Sequence, residues 1–177
     1  MTVFPAASPC AVSLTVPGVA LRPARSADLP FLRRLYRSSR DRELAALNWP
    51  EAMLRDFCRS QFEAQHQDYT HRYPTACFLV TELRREPVGR LYIDLSGPVI
   101  HLIDIALLPS ARGRGIGTRI LTAVQERARA DGKPVSLHVQ HGNRAAADLY
   151  RRLGFRLTAP GATHDGYLWD ADCIESV

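Results

Sequence analysis

The chain reads as an α+β domain, with a mixed, mostly antiparallel central sheet flanked by helices. Three observations predict it. Two strand-like runs, 76–83 and 88–94, are separated only by ArgArgGluPro, and a third starts just past SerGlyPro at 96–98. Strands joined by such short turns form an antiparallel meander. Next, residues 99–107 are apolar except for His101 and Asp104. They lead through a glycine-rich turn into apolar positions at Ile116, Ile120, Leu121 and Val124, with another strand at 134–140. That strand, helix and strand require a parallel pair joined by a right-handed crossover. Finally, helical periodicity both precedes the meander and returns at 144–153, with no internal repeat.

In chain order, residues 1–18 carry no charge and contain Pro5, Pro9 and Pro17. They lack the basic start and unbroken apolar core of a secretory signal. They read as a flexible extension ahead of one domain at 19–177. A strand at 19–22 precedes a helix from Ser26 with Leu29, Leu32, Leu35 and Tyr36 on one face. Asp28 in its first turn suits the helix dipole. A second helix starts at Asn48 as N-cap, with Pro50 and Glu51 in its first turn. Its apolar stripe is Met53, Leu54, Phe57, Cys58 and Phe62, after which Gln61, Glu63, Gln65, His66, Gln67 and Asp68 make it polar up to Tyr69 and Tyr73. In the strand at 134–140, Val135, Leu137 and Val139 share one face, and Ser136, His138 and Gln140 share the other. The helix at 144–153 ends at Gly154, and strands follow near 155–159 and 166–172.

The turn after Pro109 carries the chemistry. It runs Arg112, Gly113, Arg114, Gly115, Ile116, Gly117, Thr118 and opens a helix. Glycines let backbone approach a bulky ligand. The first N–H groups of a helix have no intrahelical partner and favour an anion. A phosphate or pyrophosphate suits this turn. No Gly-Lys-Ser/Thr follows, which excludes a nucleotide-hydrolase P-loop. The glycine spacing also departs from a dinucleotide fingerprint.

Composition narrows the class further. The net charge is +5, and all but one of the 23 basic residues are arginines, the exception being Lys133. They are scattered, and no nucleic-acid-binding motif accompanies them. The charge fits a small anionic ligand, and no nucleic-acid partner is expected. No run approaches the ~18 apolar residues of a membrane span. Cysteines 10, 58, 77 and 173 form no CxxC pair and no disulfide framework; Cys58, in an amphipathic helix, and Cys77, opening a strand, read as buried small hydrophobes, which fits a reducing cytoplasm. His138-x-x-His141 has no partner at metal-ligand spacing, so no metal is expected.

Arg112-x-x-Gly115-x-Gly117, behind a strand ending in Ile105-Ala106-Leu107, resembles the [QR]xxGx[GA] signature of the GCN5-related N-acetyltransferase (GNAT) superfamily. Asn143, then Tyr150 seven residues on in AADLYRRLGF, is similar to the C-terminal half of the same family. The resemblance implies an enzyme that moves acetyl from acetyl-CoA to a primary amine by direct attack in a ternary complex. Its acceptor is a small molecule or a peptide, and family members often form homodimers. The resemblance also implies that Ile105, Ala106 and Leu107 run beside the pantetheine arm, with the Leu107 N–H as oxyanion donor. The turn from Arg112 to Thr118 (Arg112, Gly113, Arg114, Gly115, Ile116, Gly117 and Thr118) cradles the pyrophosphate, and Asn143 bonds the arm or caps its helix. The resemblance implies Tyr150 as general acid, with a buried structural tyrosine as the competing reading. The second helix forms one wall of the acceptor site.

Two residues compete as general base. His138 lies on a polar strand face, where ribosomal-protein alanine acetyltransferases carry a glutamate. Histidine's ordinary pKa, near ~6.5, suits the task. Asp104 is the one carboxylate in an apolar strand; it reads equally as a structural group paired with an arginine. A non-catalytic acyl-CoA-binding module on the same fold is the alternative function.

Overall fold

The computed structural model describes residue 4 and residues 14–171. Seven strands, β1 (Ala20–Pro23), β2 (Cys77–Leu83), β3 (Glu86–Asp94), β4 (Ile100–Leu107), β5 (Val135–Gln140), β6 (Arg156–Ala159) and β7 (His164–Trp169), form one sheet in the order β1-β2-β3-β4-β5-β7-β6. Every neighbouring pair is antiparallel except β4–β5. The meander and the single parallel crossover are as the sequence predicts. The β2–β3 turn holds Arg84 and Arg85 at φ +53° and +68°, the paired left-handed geometry of a two-residue hairpin loop.

Helices cover both faces. On one, α1 (Leu29–Ser39) and α3 (Glu51–Arg72) pack Phe31, Leu32, Leu35, Tyr36 and Phe62 against Phe78, Val80 and Tyr92. On the other, α4 (Ile116–Asp131) and α5 (Arg144–Arg152) pack Ile116, Ile120, Leu121, Val124, Ala147 and Tyr150 against Leu79, Leu91, Ile93, Leu102, Leu137 and Trp169. A five-residue helix, α2 (Asp41–Ala45), lies between α1 and α3.

Several expectations are corrected. Asn48 does not cap α3; it sits at φ +49°, and Pro50 takes the cap position with no side-chain bond. Cys58, Phe62 and His66 are the buried residues of α3, while Met53 is 52% exposed. The helix meets the core only from Cys58 onward, so the first part of its apolar stripe has no surface to cover. Phe4, Leu14 and Val16 are buried in the two cores, so these residues are not part of a loose extension: burying apolar area stabilises their docking. Cys58 is a buried free thiol. Cys77 is buried but disulfide-bonded, which a search for CxxC spacing does not reveal. Cys10, Cys173 and the rest of 1–13 and 172–177 lie outside the described residues.

Candidate active site

A cleft opens where β4 and β5 part. The two strands pair only at Ile100–Val135, His101–Ser136 and Leu102–Leu137, yet β4 runs on to Leu107 and β5 to Gln140. The cause is a bulge. Against β3, Ile93 faces Leu102 and Tyr92 faces Asp104, which leaves Ile103 as the extra residue. A bulge bends its strand and increases the twist, and here it comes at the last residue paired with β5.

Beyond the bulge, β4 has a free side. The Leu108 N–H donates to the Val88 carbonyl at 2.8 Å. Backbone groups alternate along a strand, so Ala106 also faces β3, while Ile105 and Leu107 turn their N–H groups into the cleft. The Leu107 carbonyl accepts from Arg112 Nε at 2.8 Å from outside the ladder.

At the end of that strand the glycine turn delivers α4. Gly113 and Gly115 stand at φ +69° and +72°, where a side chain is strained, and a Cβ at either would meet nothing within 4 Å. Gly115 is the N-cap, with no side-chain cap and no acidic residue in the first turn. The first intrahelical bond is from the Arg119 N–H to the Gly115 carbonyl, 3.0 Å. The N–H groups of Ile116, Gly117 and Thr118 therefore lack intrahelical partners. Arg112 braces the turn through Leu107, and Arg114 is exposed beside it. Space, unpaired N–H groups and positive charge together fit a diphosphate.

From the α5 side, Asn143 Oδ1 accepts the Ala146 N–H at 3.3 Å as helix N-cap. Tyr150 is buried against Phe155 and Tyr167, and its hydroxyl makes no hydrogen bond among the described residues. Burial, and then the charge of Asp104, raises its pKa well above the ordinary tyrosine value. The phenol stays protonated and able to donate.

The opposite face carries the two candidate bases, and the structure does not bring them into contact. Asp104 is ion-paired with Arg90, whose side chain is 4% exposed and also donates to Gln65 Oε1 at 2.9 Å. Arg90 lies 5.0 Å from the Tyr92 ring centroid. His138 is exposed on β5, with its ring 5.6 Å from that of His101. Arg90 and His101 are the residues that the sequence reading passed over. Both carried a signal, being polar side chains in predominantly apolar strands. Among the described residues no three His, Cys, Asp or Glu side chains are grouped to hold a metal.

A split parallel pair, free strand amides along one wall and an uncapped helix at its end are the elements of this site. The family model described as "Acetyltransferase (GNAT) family" matches residues 34–155. An L-methionine sulfoximine/L-methionine sulfone acetyltransferase of Pseudomonas paraeruginosa is 30% identical over 148 residues, covering 78% of this chain and 80% of that protein. A thialysine N-epsilon-acetyltransferase of Bos taurus is 32% identical over 150 residues, covering 77% and 83%. In fold, the chain is similar to the PaiA N-acetyltransferase of Thermoplasma acidophilum in complex with coenzyme A, at TM-score 0.65 and 16% identity over 86% of this chain and 98% of that one. The chain belongs to the GNAT family and is an N-acetyltransferase of that type.

Proposed function

We propose that this chain transfers acetyl from acetyl-CoA to the primary amine of a small amino-acid-like acceptor, by direct attack in a ternary complex. The observation that carries this reading is the continuous line of unpaired N–H groups, from Ile105 and Leu107 on β4 to the first turn of α4. It matches a thioester arm ending in a diphosphate. The substrates for which the two relatives are named, both amino acids bearing a primary amine, support the acceptor class.

The thioester supplies an electrophilic carbonyl carbon and a thiolate leaving group. The ammonium of the acceptor gives a proton to His138, the freed amine forms the new C–N bond as the C–S bond breaks, and the nitrogen then releases its second proton to solvent to leave the neutral amide. The Leu107 N–H donates to the carbonyl oxygen as it gains negative charge. Tyr150 donates its phenolic proton to the sulfur and is reprotonated from solvent. Asp104, neutralised by Arg90, holds the floor of the cleft. Holding the reactants in line contributes ~7–11 kcal/mol, and each proton-transfer group a further ~10²–10⁴-fold.

This reading places the enzyme in the cytoplasm. No helix among the described residues is long and apolar enough to cross a membrane. Fractionation of the source cells with an antibody to the protein tests this placement.

The test is calorimetry with coenzyme A, followed by thiol release from acetyl-CoA across methionine sulfone, thialysine, spermidine, an aminoglycoside and short peptides. Binding followed by turnover of an amino acid is expected. Absence of binding overturns the assignment, and binding without turnover of any amine turns it into a non-catalytic acyl-CoA module.

A further inference from the structure

His101 occupies the second of the three paired positions of β4, opposite Ser136 and just before the strands separate. Three neighbours hold its ring. Its Nδ1 lies 2.9 Å from Ser136 Oγ. Tyr73, at the C-terminal end of α3, stacks on it with centroids 5.5 Å apart and planes at 29°. His138 meets it edge to face at 5.6 Å and 69°. The ring is thus fixed from β5 and from α3, while the His138 side chain reaches solvent.

We propose that His101 is a positioning residue: with His138 it forms a two-imidazole proton acceptor that takes one proton at a time, carried by His138. The proposal rests on the acetyl-transfer reading. The acceptor ammonium loses a proton to His138, which passes it to bulk water through its exposed edge. His101 stays neutral throughout, and its ring fixes the plane in which His138 faces the amine.

The asymmetry has a physical basis. Two imidazolium rings this close repel, so the pair titrates in separate steps. His101 is half-buried, and burial lowers its pKa, with His138 lowering it further and Asp94 opposing. Asp94 is its register partner on β3, and the Tyr73 ring and the Ser136 hydroxyl are its other neighbours. His138 faces His101 from β4 and Gly166 from β7, and the nearby Asp165 accepts from His141 at 3.0 Å. His101 is therefore the ring held in its neutral form.

The experiment is an NMR titration of the histidine ring signals in the full chain, comparing the native protein with His138→Gln and Ser136→Ala. His138 is expected to titrate above His101, and His138→Gln to raise the His101 midpoint by several tenths of a pH unit as repulsion is lost. A His101 midpoint that does not move, or His101 taking the first proton, overturns the proposal. In turnover of whichever amine releases thiol, His101→Gln is expected to shift the acid limb of kcat/KM and to lower kcat by up to ~100-fold through misplacement of His138, with KM for acetyl-CoA unchanged. If His101→Gln only lowers thermal stability and leaves the limb in place, His101 is structural. Failure of every amine to turn over sinks the transfer reading instead, and the titration still decides whether the two rings are coupled.

Discussion

The two sides of the cleft are made of different materials. Toward α4 and α5, the groups offered to a ligand are mainly backbone, the amides of Ile105 and Leu107 and the first turn of α4, joined by the side chains of Asn143 and Tyr150. Toward α1 and α3 they are side chains drawn from separate segments, with Arg90 from β3, His101 and Asp104 from β4, His138 from β5, and Gln65 and Tyr73 from α3. A backbone site depends on conformation and tolerates most changes of side chain. A side-chain site depends on identity and on packing partners far away in sequence. The first suits a donor with one fixed shape, and the second suits an acceptor that differs from one enzyme to the next.

The largest effects test this division directly. Tyr150→Phe is expected to lower kcat by ~10²–10⁴-fold while calorimetry shows coenzyme A affinity unchanged, because the backbone side is untouched. Asp104→Asn leaves Arg90 buried without its counter-charge, and a loss of about 3–5 kcal/mol in denaturant unfolding is expected. If Asp104→Asn unfolds like the native protein but turns over far more slowly, the carboxylate is the base and the ion pair is incidental. Gly115→Ala introduces no clash, so its effect is conformational: about 1–2 kcal/mol of strain at positive φ, with weaker coenzyme A binding and an unchanged KM for the amine. Asn143→Ala removes a helix cap and is expected to cost about 1 kcal/mol, read as a small drop in thermal midpoint.

The smallest effect concerns His66, which is 2% exposed, 4.6 Å from Phe4 and 5.8 Å from Phe62, with neither ring nitrogen hydrogen-bonded. Burial, and then Arg90, lowers its pKa in the folded protein. The unfolded chain therefore binds this proton first as pH falls below ~6.5, and the folded state loses stability over the acid range below that value. His66→Leu is expected to narrow the gap between denaturant midpoints at pH 5 and at pH 7.5. An unchanged gap would mean that His66 is protonated in neither state or in both.

The cofactor-side turn was legible because each of its parts is local. Pro109 ends a strand, Gly113 and Gly115 take positive φ, and the apolar spacing from Ile116 announces the helix. The N-cap role of Asn143 was equally visible. Asn48 misled, since a good capping residue followed by Glu51 resembles a helix start, yet the chain turns through φ +49° there. The stripe from Met53 to Phe62 misled for another reason: periodicity shows which face is apolar, but not how much of that face meets a partner.

By itself the sequence determined the order of strands and helices, the single parallel crossover and an anion-ready turn, since each follows from the conformational limits of a few neighbouring residues. Tertiary structure alone decided that β4 and β5 separate after Leu102, that Arg90 neutralises Asp104, and that His101 lies against His138. These depend on which side chains meet across strands up to 37 residues apart in the chain, from His101 to His138, and pairing at that range is set by the packing of the whole sheet.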